Sequence, residues 1–209
     1  LKYKKYFRKT SFKQKGVGDF FLKEIESQKP KIFLEVGVFH GVTARNVCEL
    51  LSKIHNNDFN YVGIDLFEES IENKNEFIPN TNFSNPVKSF YFKYIKRQNP
   101  YSKTAVEDLL KKFKKNINLI KGNSNFLLKK MDMSKIDYVF LDGGHEYSTV
   151  INDLNSCIDV IYKNGTILCD DYNLTYAPGV KKAIDEFCLK NNFKCTILEF
   201  DRFAKIKKE

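Results

Sequence analysis

At 209 residues, 42% of them hydrophobic, the chain is long enough to bury one sizeable core, and disorder is not the default reading. No apolar run reaches membrane-spanning length and no charged–apolar–small leader pattern stands at the start; the first residue is Leu1 rather than Met, so a few upstream residues are expected. A net charge of +9 admits a nucleic acid, an anionic small molecule or a membrane surface as partner. The lysines are scattered, however, with no RNP-type aromatic motif and no Arg-rich helix, which argues against nucleic acid. Five cysteines, odd in number and without a CxxC pair, read as small apolar fillers and suit a reducing cytoplasm.

In chain order, residues 1–30 form a basic, aromatic arm. Its stretch 18–27 has helical spacing at Phe20, Phe21 and Ile25 and is stopped by Pro30. KIFLEVGV (31–38) reads as a short buried strand running into a helix over 40–54, with Val47, Leu50, Leu51 and Ile54 on one face. Further strands are expected at 61–67, 117–122, 138–144 and 165–172. Helices are expected at 105–113, 124–131, 148–163 and 179–191, and FKCTILEF with RFAKIKK forms a closing hairpin about Asp201–Arg202. Unbroken apolar strands alternating with helices imply a parallel sheet covered on both faces, an α/β fold. Residues 68–104 break the rhythm. This Asn-rich insertion carries Phe77, Phe83, Phe90, Tyr91, Phe92, Tyr94 and Tyr101, and its place suits either a lid over a ligand or a structural cover for the sheet edge.

Chemistry-bearing residues gather where strands end. Glu35, Gly37 and Gly41 stand at the first strand-to-helix turn, where glycines admit close approach of a ligand. The spacing is G-x-x-x-G rather than G-x-G-x-x-G, and Glu35 disfavours a phosphate. Asp65 ends the second strand and can accept ribose hydroxyls or cap a helix. YVFLDGGHEY ends a buried strand in Asp142, Gly143, Gly144 and His145, which is either a plain turn or a site. GTILCDDY brings Asp170 and Asp171. His40 sits in the glycine loop, whereas His55 reads as a solvated helix-end cation, Tyr147 as pocket wall and Cys169 as core.

Together EVGVFHG, the strand ending in Asp65, KGNS (121–124), YVFLDGGHEY and GTILCDDY resemble the class I S-adenosylmethionine-dependent methyltransferases over about residues 31–200. The nearest likeness is to the metal-dependent O-methyltransferases, of the catechol type and of the macrocin-type sugar branch. The resemblance implies a Rossmann-like, mostly parallel seven-stranded sheet with a reversed last strand, spanning 31–209 with the insertion. It implies that Glu35, Gly37 and Gly41 hold the methionine end of the cofactor, Asp65 the ribose, Asn123 and Ser124 the adenine. Asp142, which also borders the cofactor, would join Asp170 and Asp171 as ligands of a cation such as Mg2+. Where the catechol-type pattern has Asn, this chain has Asp171, one more negative charge.

Those residue types make chemical sense. Carboxylates from two neighbouring strand ends can form a hard oxygen site, a cation there lowers the pKa of a hydroxyl, and His145, three residues after Asp142, can take the proton. The expected reaction is O-methylation of a small-molecule acceptor, a sugar or aromatic alcohol, by a cytoplasmic enzyme, with a homo-oligomer left open. An RNA-directed methyltransferase and a non-catalytic nucleotide-binding domain remain as alternatives.

Overall fold

Seven short strands, most of them buried on both faces, are the scaffold that collects these strand ends. The computed structural model describes residues 1–67, 87, 90–96 and 99–208. The strands are β1 (Ile32–Val36), β2 (Asn60–Asp65), β3 (Ile117–Lys121), β4 (Tyr138–Leu141), β5 (Thr166–Cys169), β6 (Lys194–Ile197) and β7 (Ala204–Lys207). They form one sheet in the order β3-β2-β1-β4-β5-β7-β6. All pairs from β3 to β5 are parallel; β7 runs antiparallel to both β5 and β6. This is the seven-stranded, mostly parallel sheet with a reversed last strand expected from the sequence.

Helices cover both faces. α1 (Val17–Gln28), α2 (Val42–Ile54) and α3 (Lys103–Leu110) lie on one side, and α4 (Ser124–Leu127), α5 (Tyr147–Ser156), α6 (Ile158–Tyr162) and α7 (Pro178–Asn191) on the other. Alternate strand residues serve the two layers: Phe33, Tyr138, Phe140 and Leu168 pack with the first group, Leu34, Val36, Val139 and Ile167 with the second. The arm belongs to the first layer. Short 3-10 turns at Lys4–Lys9 and Ser11–Lys13 bury Phe7 and Phe12. Phe12 and Phe21 close on Phe140 and Phe203 with centroid separations of 4.7–6.3 Å.

Two elements differ from the sequence reading. The single helix expected over 148–163 is two, because Cys157 leaves helical geometry (φ −97°, ψ 5°) while the apolar pattern runs on through Val160 and Ile161. The helix expected over 124–131 holds α geometry for one turn and tightens to 3-10 at Leu128–Lys130. Of the insertion, residues 68–86, 88, 89, 97 and 98 lie outside the described residues, Phe77 and Phe83 among them, so the lid reading as a whole falls outside them too. Phe90, Tyr91 and Tyr94 are exposed. Among the described residues no helix is long and apolar enough to cross a membrane.

Phe21 is fully buried, so Phe21→Ala should cost about 3–5 kcal/mol in urea unfolding. Leu189→Ala on the exposed side of α7, where the side chain is 86% accessible, should change stability by under about 0.5 kcal/mol.

Candidate active site

The strand order reverses between β1 and β4, and that switch point is where an α/β sheet offers its crevice. There the backbones of the two strand ends nearly touch. Asp142 N–H donates to Val36 O (2.8 Å), and a Cβ on Gly37 would stand 1.9 Å from Asp142 O. Gly37 also has φ +92°, which side chains rarely adopt. Glycine is therefore required here by the meeting of two strands, before any ligand is considered.

Asp65 ties the loop down. Its Oδ2 accepts from Phe39 N–H (2.8 Å), and its Oδ1 accepts from Phe67 N–H and from the Tyr101 hydroxyl (both 2.7 Å). Tyr101 also packs against Phe39 and His40, so this insertion aromatic covers the loop. Glu35 is fully buried, and Tyr61 Oη donates to its Oε2 at 2.6 Å while Oε1 has no partner among the described residues. Burial above all, then the nearby Asp65 charge, pushes its carboxyl up to about 8 against the pull of that hydrogen bond. His40 is pushed down to about 4, chiefly by burial, and its Nε2 has no partner among the described residues.

The second cluster joins the ends of β4 and β5 to the turn before β7. Asp142, Asp170 and Asp171 present oxygens within 4.8 Å of one another. The cation that answers them is Arg202. Its Nε–H and Nη2–H grip Asp170 Oδ1 and Oδ2 (both 2.5 Å), and Nη2–H also reaches Asp171 Oδ1 at 2.9 Å. Asp171 adopts φ +58°, a conformation Asp tolerates better than most residues, and its Oδ2 lies 2.8 Å from His145 Nε2. Tyr176 Oη donates to Asp171 Oδ1 at 3.0 Å and its ring stands edge-on to His145. Desolvation first, then Asp170 and Asp171, raise the Asp142 carboxyl well above the usual range. Asp170 is raised to about 6 by burial and Asp171, with Arg202 opposing. A small cavity lined by Asp142, Gly143, His145, Asp153, Asp170 and Asp171 opens beside them.

Thus the structure brings Glu35, Gly37, Gly41 and Asp65 together around one loop, and Asp142, His145, Asp170 and Asp171 around one cavity. Asn123 and Ser124 serve local structure: Asn123 Oδ1 accepts from Asn125 N–H to cap α4, and Ser124 Oγ donates to the buried Asp153. Sequence reasoning missed Arg202 and Tyr101 as site residues. One signal was available for the first: only four arginines occur among 35 basic residues, and arginine is the side chain suited to bidentate burial.

A family model described as a methyltransferase domain matches residues 34–172, well over half the chain. The chain belongs to this methyltransferase family, of the S-adenosylmethionine-dependent class that its motifs resemble. An uncharacterised protein of Acanthamoeba polyphaga mimivirus is 40% identical over 52 residues, 24% of this chain and 24% of that protein, so the match spans about a quarter of the curated relative. Among solved structures, SAH-bound methyltransferase PaMTH1 of Podospora anserina superposes with a TM-score of 0.60 at 18% identity, covering 100% of this chain and 86% of that one. A calicheamicin methyltransferase gives 0.65 at 14% (91% and 76% covered). An O-methyltransferase of Bacillus cereus in complex with SAH gives 0.62 at 12% (93% and 82% covered). At these identities the likeness is one of fold.

The residues fit a divalent cation poorly as arranged. Both oxygens of Asp170 are held by the guanidinium, and both of Asp171 already accept hydrogen bonds. An ion bound at the roughly 2.0–2.1 Å that Mg2+ requires would face a positive charge across the same oxygens.

Two outcomes follow from the loop. Glu35 keeps in the folded state a proton that the unfolded chain releases above its ordinary value of 4.5, so stability should fall as pH rises from about 4.5 to 8. Glu35→Gln should flatten that slope, whose ceiling is about 1.4 kcal/mol per pH unit, in urea melts of the ligand-free chain. Gly37→Ala should destabilise far more than Gly143→Ala, whose Cβ would stand 3.2 Å from Val36 Cγ1.

Proposed function

We propose that the chain methylates a hydroxyl of a small molecule, using S-adenosylmethionine as donor and His145, oriented by Asp171, as general base. The observation that carries this reading is the 2.8 Å contact between His145 Nε2 and Asp171 Oδ2 beside the crevice of the glycine loop. S-adenosylmethionine supplies an electrophilic methyl group on a sulfonium. The chain's part is placement and proton handling. Glu35 and the loop Gly37–Gly41 would hold the methionine end and Asp65 the ribose, with Asn123 and Ser124 near the adenine.

His145, held by its contact with Asp171, takes the hydroxyl proton while the acceptor oxygen forms its bond to the methyl carbon and the sulfur–carbon bond breaks. Gly143, exposed at the strand end, leaves room for the acceptor.

A sugar or aromatic alcohol suits the site better than RNA. The cavity wall is carboxylate-rich, which repels a phosphate backbone. One structural neighbour, of like fold, is a TDP-rhamnose 3'-O-methyltransferase. A version in which Mg2+ assists would require Arg202 to release both carboxylates that follow β5, which it holds in the described arrangement.

The test is calorimetry with SAH followed by methyl transfer to a panel of catechols, flavonoids and nucleotide sugars. His145→Ala should lower turnover about 10²–10⁴-fold and leave SAH affinity unchanged. Full turnover in that variant, or labelled methyl entering only RNA, would sink the reading.

A further inference from the structure

The cation of this acidic cluster comes from the far end of the chain. β7 runs antiparallel to β5 with Cys169 opposite Ala204, and continuing that register by two residues sets Arg202 opposite Asp171. Tyr172 N–H donates to Arg202 O at 2.8 Å, which closes the ladder there. The preceding turn carries Phe200 and Asp201 at φ +71° and +51°, so the chain reverses sharply just before the arginine.

Arg202 is held from behind as well. Its Nη1–H donates to Ser11 O at 3.1 Å, and its guanidinium lies 5.2 Å from the Phe12 ring and 5.9 Å from that of Phe203. The residue is 8% exposed, so this is an enclosed ion pair and not a surface one. Every element that meets it, the N-terminal arm, the end of β5 and the start of β7, fixes the same orientation.

We propose that Arg202 takes the place of a divalent ion in this acidic cluster, so that its carboxylates are compensated from within and the chain binds no metal there. This rests on the methyltransferase reading for its relevance to turnover, but not for its test. A guanidinium offers planar, directional donors and no open coordination position. It can therefore compensate Asp170 and fix Asp171 toward His145, and it cannot chelate the acceptor's oxygens. The deprotonation of the hydroxyl then falls to the His145–Asp171 pair.

The test is a titration of the purified chain with Mn2+ alone, followed by electron paramagnetic resonance, with calorimetry of Mg2+ beside it; no acceptor is needed. The wild-type chain should show no stoichiometric site. Arg202→Met removes the charge while keeping an apolar stem on Phe12, and should convert the cluster to one Mn2+ site per chain that Asp142→Asn then abolishes. Arg202→Lys keeps a cation and should stay without metal; it also serves where the Met variant proves too unstable to titrate. A wild-type chain that binds one Mn2+ at micromolar concentration, weakened by Asp142→Asn, overturns the proposal. So does a folded Arg202→Met chain that still takes no metal, because the arginine would then not be what keeps the ion out. Failure to bind SAH would count against the methyltransferase activity and leave the metal result standing.

Discussion

Three carboxylates at two adjacent strand ends repel one another, and the structure depends on how that repulsion is met. β4 delivers Asp142, β5 delivers Asp170 and Asp171, and parallel pairing leaves them no freedom to separate. One guanidinium, arriving on the single reversed strand, answers them. Removing one partner of such a buried pair typically costs about 3–5 kcal/mol, since the other charge is stranded. The reversal of β7 is thereby more than an edge feature. A parallel β7 would enter the sheet from the opposite end and could not set this arginine beside the β5 carboxylates.

The same contact recruits the N-terminal arm. Residues 1–13 contribute no strand to the sheet, yet Phe12 lies under the guanidinium and Ser11 O accepts from it. Phe12 is also in ring contact with Phe21, Phe140 and Phe203, so core packing and site geometry share one side chain. Stability and site placement are coupled physically through that ring.

Much of this could be read from the sequence, for identifiable reasons. Strands such as YVFL and TILC are apolar on both faces, and a covered parallel sheet is the arrangement that uses such strands. Asp142, His145, Asp170 and Asp171 lie within a few residues of their strands, so locating the strands located the cluster. Local pattern did not place Arg202 and Tyr101, because each acts across a tertiary contact: Arg202 on residues 31 and 32 positions away, Tyr101 on Asp65 36 positions away. Local pattern carries no record of such pairings. The break at Cys157 was hidden for the opposite reason, since the apolar period continues on both sides of it.

Charge follows the same division between surface and interior. Arg45 and Arg202 are buried, and each combines a carboxylate, a backbone carbonyl and aromatic rings: Arg45 meets Glu49, Leu109 O, Tyr3 and Phe113. The planar fork satisfies several acceptors at once, which a lysine ammonium on its flexible stem does less well. Lysines instead carry most of the +9 excess, often in exposed pairs such as Lys181–Asp185 and Lys135–Asp132. A positive surface around a carboxylate-lined cavity separates two effects. The long-range field draws anions toward the molecule, whereas the near field of the carboxylates at the cavity opposes them.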